Sequence, residues 1–299
     1  MSSNSAPSRT CSPFALIAID LDGTLLTSRN ELSAANRAAL RRAHEAGMHI
    51  CLCTGRSLVE SQSVIQQIGL DLSAGVFVFG AMVADVASGE VLFRNAMTPE
   101  LADRLVAFLR SRGHCVLALY DPSQNGCDYV LIEGTRNRDA YEKWLEITPA
   151  RAERWPEWHP RDYTPLRIGI IENPDHIEET LREIRAAFPE DQAKINSIYA
   201  PNYRLHVVEC FAPMVNKWYG ITQLAGRLGI PLERVAAVGD DVNDLEMIAN
   251  AGLGVAMGNA IPAIKAVARW QTETNDRDGV AVLIDRILAG DFVPPQPKP

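Results

Sequence analysis

The chain has 299 residues, 47% of them hydrophobic and 22% charged, with a formal net charge of −8. That length leaves room for two domains, and that composition supplies a real core to offset chain entropy, which excludes wholesale disorder. The acidic balance offers no basic footprint for nucleic acid, and no apolar run nears the roughly 20 residues of a membrane span, so an anion site here has to be local and cation-assisted.

Met1 to Pro13 is polar and rich in Ser and Pro, without the basic-then-apolar profile of a signal peptide. Six cysteines are scattered without a CxxC pair, so reduced thiols and a cytoplasmic location are expected. Phe14 to Ile19 is a continuous apolar run, the pattern of a parallel strand covered on both faces. Ser33 can cap a helix that runs to Ala46 and stops at Gly47. His49 to Cys53 reads as a second strand, Ser57 to Ile68 as a helix, and Gly75 to Phe79 as a third strand. Met82 to Arg94 reads as a hairpin around Ser88-Gly89.

The middle changes character. Pro99 to Arg112 reads as a helix, followed by strands at Cys115–Tyr120 and Asp128–Glu133. Asp175 to Phe188 is a second helix, followed by strands near Lys194–Tyr199 and Tyr203–Cys210. Helix-strand-strand occurring twice suggests an antiparallel sheet with helices on one face. Thr135 to Pro160, polar and holding Trp144, Trp155 and Trp158, gives no clear pattern. Alternation returns with a helix at Lys217–Leu228, a strand at Val235–Val238, a helix after Asp241 and a strand at Leu253–Ala256. Helices at Ile261–Val267 and Gly279–Leu288 close the chain. The expected fold is α/β: a Rossmann-like, doubly wound parallel-sheet core at 13–95 and 211–291, with an inserted α+β domain at 96–210. Residues 1–12 and 292–299 read as flexible tails.

Asp20-Leu21-Asp22-Gly23-Thr24 follows the first buried strand. Two carboxylates at i and i+2 of extended chain point to one side, at the strand end where open α/β sheets bind ligands. Gly239-Asp240-Asp241-Val242-Asn243-Asp244 repeats the arrangement after another apolar strand. Carboxylates so gathered repel one another unless a divalent cation joins them, and hard oxygen ligands suit magnesium. Thr54-Gly55-Arg56 offers a hydroxyl and a free N–H at a helix start. Lys217 puts a cation at a helix N-terminus, where it opposes the dipole but suits phosphate oxygens or a buried carboxylate. Each segment alone also reads as ordinary structure: an Asp-Gly turn, a Thr cap, or acids in a helix's first turn.

In combination and order, the DxDGT loop, Thr loop, Lys and GDxxND loop resemble the haloacid dehalogenase-like phosphohydrolase superfamily. The long insertion between Thr54 and Lys217 resembles the Cof-type branch with its large α/β cap. Gly254-Val255-Ala256-Met257-Gly258-Asn259-Ala260 and Asp278-Gly279-Val280 resemble it too.

The resemblance implies a magnesium-dependent phosphatase of small phosphorylated metabolites. In it Asp20 attacks phosphorus and becomes an aspartyl phosphate, and Asp22 serves as general acid and then base. Mg²⁺ is held by the Asp20 carboxylate, the Asp22 backbone carbonyl and the Asp240 carboxylate. Asn243 and Asp244 support from behind, and Thr54, Gly55 and Lys217 hold the phosphoryl oxygens.

The sequence departs from the family at Phe79, where Asn is usual, and at Trp218, where Gly is usual and a bulky ring is expected to reshape the mouth. A phosphomutase on the same fold and a non-catalytic phosphometabolite sensor are the rivals; retention of both Asp20 and Asp22 disfavours the sensor. Arg204, Asn202, Arg167, Tyr163 and Trp158 are candidate cap contacts. The expected partner is a small phosphorylated metabolite, with neither nucleic acid nor membrane.

Overall fold

The structure, a computed structural model, describes residues 12–72, 74–159, 163–200 and 204–296. Its centre is β1 (Leu16–Ile19), whose four residues are all buried, as a strand covered on both faces requires. β1 pairs in parallel with β2 (His49–Leu52) on one side and with β12 (Val235–Gly239) on the other. β13 (Leu253–Ala256) and β14 (Trp270–Gln271) extend the sheet beyond β12, giving the order β14-β13-β12-β1-β2. The chain first builds to one side of β1 and later to the other. The switch point between β1 and β12 is where open α/β sheets leave a crevice. Register brings the strand ends level there, with Ile19 opposite both Leu52 and Val238.

Capping places the helices where the sequence suggests. Ser33 caps α1 (Ala34–Glu45) by accepting from the Asn36 N–H. Ser57 and Glu60 form a reciprocal capping box on α2 (Leu58–Ile68). The third strand is shorter than expected. β3 (Ala74–Phe77) stops at Phe77, because Val78 and Phe79 turn into the left-handed region at φ 53° and 55°. There the Val78 N–H donates to the Arg56 carbonyl and the Phe79 N–H to the Thr54 carbonyl, which locks this turn onto the Thr54 loop. β3 continues into an antiparallel sheet with β4 (Met82–Asp85) and β5 (Val91–Arg94), the expected hairpin.

The second sheet has six strands in the order β10-β11-β9-β6-β7-β8. After α3 (Pro99–Ser111) come β6 (Val116–Leu119), the one-turn α4 (Pro122–Asn125) and β7 (Tyr129–Ile132). The segment that gave no pattern in sequence resolves into α5 (Arg138–Ile147) and β8 (Ala152–Trp155), and β8 pairs in parallel with β7. β9 (Arg167–Glu172) sits in the middle of this sheet, between β11 and β6, where the sequence reading had assigned no element. α6 (Ile177–Ala187), β10 (Lys194–Ala200) and β11 (Leu205–Phe211) complete it.

Alternation sorts its two faces. Val116, Ala118, Val130, Ile168 and Ile170 pack with α3 and α6, while Leu117, Leu119, Tyr129, Leu131 and Ile171 belong to the core that continues into the five-stranded sheet. Helices on one face describe α3 and α6 but not α5, whose Tyr141 lies on the opposite face. Tyr141 is drawn there by hydrogen bonds from its hydroxyl to the Cys115 carbonyl and from the Ile171 N–H.

α7 (Lys217–Leu228), α8 (Leu245–Asn250), α9 (Pro262–Val267) and α10 (Gly279–Leu288) return to the parallel sheet. The start of α7 lies hard against the turn after β3. Gly80 has φ +98°, and a Cβ there would lie 2.0 Å from the Asn216 carbonyl oxygen. Gly80→Ala is therefore expected to destabilise the protein by about 2 kcal/mol or more, through both backbone strain and forced displacement of α7. Urea unfolding checks this; an unchanged midpoint and slope would show that the approach is not tight.

Candidate active site

The strand ends at the switch point deliver the acids. Asp20 follows β1 and is only 5% exposed. The chain turns at Gly23, with φ +76°, and passes so close to the neighbouring loop that a Cβ there would meet Asp240 Oδ2 at 2.3 Å. Asp240, at the end of β12, is held by that loop: the Thr24 hydroxyl donates to its Oδ1 at 2.9 Å. Asn259 Nδ2 donates to the Gly23 carbonyl at 2.8 Å and reaches Asp240 Oδ2 at 3.4 Å, so it clamps the two loops from a third.

Lys217 is the hub. Its Nζ donates to Asp20 Oδ1 at 2.6 Å and to Asp244 Oδ1 at 2.7 Å, with Asn243 Oδ1 at 3.4 Å. Lys217 is 1% exposed and Asp244 0%. The other oxygen of Asp244 accepts from the backbone N–H groups of Asp240 and Asp241, at 2.9 and 3.2 Å. Lys217 starts its helix behind Asn216, whose side chain caps by accepting from the Tyr219 N–H. Burial works against the ammonium charge, but Asp20 and Asp244 outweigh it and hold the Lys217 pKa above its ordinary value. Burial also raises Asp20, which Lys217 opposes and Asp244 reinforces. Asp240 is pushed up to about 6 by burial, against the pull of the Thr24 hydrogen bond and with help from Asp244 and Asp241.

One carboxylate oxygen each from Asp20, Asp240 and Asp244 lies within 4.8 Å of the others. Three carboxylates share one buried ammonium, and all the donors are hard oxygens. That set fits a divalent ion of the magnesium kind. Asp244 spends both oxygens on Lys217 and the backbone, which leaves Asp20 and Asp240 as the freer donors. Asp20 Oδ2 has no hydrogen-bond partner among the described residues.

The remaining motif residues divide. Thr54 is buried, and its hydroxyl oxygen accepts from the Arg56 N–H at 3.1 Å. Gly55 faces the Phe79 ring so closely that a Cβ would lie 2.3 Å from it. Phe79 thus fills the space beside the Thr54 loop, edge-on to Phe211 at 5.6 Å. Trp218 instead packs against the core and is not one of the residues lining the main cavity, so the expected effect on the mouth is not seen. The Asp22 side chain stays off the acid cluster. It is 52% exposed and paired with both Nε and Nη2 of Arg56.

Asp20, Asp22, Gly55, Arg56, Asp240 and Asp241 line a cavity of about 620 Å³ together with residues of the six-stranded sheet. Of the cap contacts suggested by sequence, Arg167 lines it. Trp158 donates its indole N–H to Asp103, Tyr163 packs edge-on against Tyr120, and Arg204 is exposed at φ 54°. Asn202 lies outside the described residues. Glu60, Tyr129, Trp144 and Glu209, not among the site residues expected from the sequence, line the cavity as well. They come from four separate elements and share no motif that could have pointed to them.

A family model described as haloacid dehalogenase-like hydrolase matches residues 17–284. The chain is similar to the phosphatase YwpJ of Bacillus subtilis, 32% identical over 296 residues that cover 91% of this chain and 99% of the relative. It is also 32% identical to the 5-amino-6-(5-phospho-D-ribitylamino)uracil phosphatase YitU of the same organism, over 89% of this chain and 94% of that one. A crystal structure of a haloacid dehalogenase-like hydrolase from Bacteroides thetaiotaomicron superposes with a TM-score of 0.74 at 27% identity, covering 92% of this chain and 99% of that one.

Removing the ammonium leaves Asp20 and Asp244 buried without a counter-charge. In metal-free buffer Lys217→Met is expected to cost about 3 to 5 kcal/mol of stability at pH 7. Without Lys217, burial lifts the folded-state pKa of Asp20 further above its unfolded value. A raised folded pKa penalises folding increasingly as pH rises from the unfolded pKa to the folded one, and ceases to matter below the unfolded pKa, so the deficit should shrink as pH falls towards about 4. Denaturant melts of both proteins between neutral and acid pH test this; a deficit independent of pH would refute it.

Proposed function

The chain belongs to the haloacid dehalogenase-like hydrolases of the Cof type and is a phosphatase acting on phosphate esters, and from that premise we propose that it hydrolyses phosphomonoesters of small metabolites with magnesium, through an aspartyl phosphate on Asp20. One observation carries this reading. Asp20 stands at the end of the central strand on the cavity wall, with Oδ1 held by Lys217 and Oδ2 uncommitted among the described residues. A carboxylate fixed by one oxygen and open at the other is oriented for in-line attack.

Asp20 Oδ2 bonds to phosphorus while the ester P–O bond breaks, and Asp22 passes its proton to the departing alkoxide. Water then attacks the acyl phosphate with Asp22 taking its proton, and the Asp20 carboxylate is released with phosphate. Asp22 suits this double duty because it lies outside the acid cluster and can turn. Its present hold on Arg56 must open before it acts as the acid. The Thr54 hydroxyl accepts from Arg56, which leaves its own proton, with the Gly55 N–H and Lys217, to meet phosphoryl oxygens where charge develops. The Asp20 and Asp240 carboxylates and the Asp22 carbonyl would hold magnesium, which when bound offsets the cluster's charge and polarises the phosphoryl group; Asn243 and Asp244 support from behind.

In this reading residues 96–210 form a cap over a core of 13–95 and 211–291, and the cap excludes water during transfer. A phosphorylated metabolite of the size named for YitU suits the cavity volume. The five described cysteines are buried thiols, which supports a cytoplasmic setting. Among the described residues no helix is long and apolar enough to cross a membrane.

Asp20→Asn is expected to fold and to lose all but about a hundredth of turnover or less. Wild type should lose activity on chelation, regain it with magnesium, and yield a phosphorylated Asp20 peptide on acid quench. A phosphate adduct mapping to another residue would refute the assignment.

If Asp22 is the acid, Asp22→Asn should slow formation of the phosphoenzyme by about 10² to 10⁴ for a sugar phosphate. p-Nitrophenyl phosphate, whose leaving group needs no proton, should be slowed little in the same step. Rapid-quench burst kinetics separates the two half-reactions, and equal losses for both substrates would remove Asp22 from that role.

A further inference from the structure

Part of the cavity wall is a bonded network that joins the six-stranded sheet to α2 and to the Gly55 loop. Tyr129 on β7 donates its hydroxyl to Glu60 Oε1 on α2 at 3.0 Å. Arg167 on β9 donates through Nη2 to that same hydroxyl at 2.5 Å, and through Nη1 to Glu209 on β11 and, at 3.4 Å, to the Gly55 carbonyl. Glu60 Oε2 is already taken by the backbone N–H and hydroxyl of Ser57. One buried acceptor in this chain of contacts is left unmatched. Glu209 is 4% exposed, lines the cavity, and its Oε2 has no hydrogen-bond partner among the described residues.

A buried acceptor without a donor is uncommon in folded proteins, and in a cavity wall it offers a place for a donor from water, an ion or a ligand. Charge sharpens the chemistry. Among the described lining residues the cations are Arg56 and Arg167, each already bonded to a carboxylate, Asp22 and Glu209. Glu60 brings a further carboxylate beside them. No further cation among the described lining residues remains to neutralise a second anionic group, whereas a hydroxyl can donate to Glu209.

Resting on the phosphatase reading above, we infer that Glu209 anchors the leaving group, so that the enzyme selects monophosphates of uncharged, hydroxyl-bearing alcohols and rejects esters that carry a second anionic group. Rejection follows from like charge in a site with little water, and acceptance from completing the bonds of Glu209. Arg167 is a positioning residue in this scheme: it holds Glu209 by one oxygen and leaves the other for the substrate.

The probes are glucose 6-phosphate, 6-phosphogluconate, which adds a carboxylate at similar size, and p-nitrophenyl phosphate, which has no hydroxyl on its leaving group. Wild type is expected to favour glucose 6-phosphate over 6-phosphogluconate at least tenfold in kcat/KM. In Glu209→Gln, which removes the charge at constant shape, that preference should fall about tenfold. The ratio of glucose 6-phosphate to p-nitrophenyl phosphate should fall as well, mainly through KM. A wild type that handles glucose 6-phosphate and 6-phosphogluconate alike, or a variant with unchanged ratios, overturns the inference while leaving the phosphatase reading intact. A wild type inactive on all three probes, p-nitrophenyl phosphate included, overturns both. The wild-type preference alone decides the matter if the variant does not fold.

Discussion

Lys217 carries a full charge where almost no solvent reaches, and the site is arranged around that fact. An ammonium taken out of water is costly unless matched by close opposite charge. Here the match is double, with Asp20 at 2.6 Å and Asp244 at 2.7 Å. Each partner belongs to a different loop, so satisfying one cation draws the ends of β1 and β12 together with the start of α7. Asp244 passes the constraint on, because its second oxygen holds the backbone of Asp240 and Asp241. The same carboxylate therefore sets the position of the acid that stands beside Asp20. Replacing the network with apolar residues would remove this coupling, even where it left stability unchanged.

Glycines and one unusual turn complete the fit. Gly23 lets Asp240 close on the first loop, and Gly80 lets the Asn216 carbonyl seat α7 against the end of β3. Phe79, held at φ 55°, turns its ring onto Gly55 and ties the Thr54 loop to the strand that follows. Non-glycine residues at positive φ store strain, and such strain persists where surrounding bonds overdetermine the backbone. The bonds from Val78 and Phe79 to the Arg56 and Thr54 carbonyls do that here.

The six-stranded sheet supplies the opposite wall through alternation. Tyr129, Ile171 and Leu117 face the parallel-sheet core, while their neighbours face α3 and α6. Because the period of a strand is two, one sheet can own a separate core and still present a continuous surface to the cavity. Arg94 bonded to the buried Asp121, and Tyr129 bonded to Glu60, join that wall to the first part of the chain. Bringing charged partners across a junction in this way favours a closed chamber, in which each polar contact is stronger than in water.

Local signals in the sequence already specified much of this. Apolar runs marked β1, β2 and β12, Ser33 and Ser57 marked helix starts, and the acids placed directly after strands marked the crevice, because these depend on neighbours a few residues apart. Asp20, Asp240, Asp244 and Lys217 were legible for the same reason: each sits at a fixed offset from the end or start of an element. The central strand β9 went unread because a short apolar run carries no period of its own, and α5 with β8 because their pattern is weak and polar. Of the wall formed by the six-stranded sheet, the sequence pointed only to Arg167. Glu60, Tyr129, Arg167 and Glu209 are 149 residues apart at their extremes, and their bonds exist only because β7, β9 and β11 lie in one sheet and that sheet packs against α2. Periodicity and capping are properties of the local chain and can be read along it, whereas the partner of a buried charge is chosen by packing, which only the tertiary structure decides.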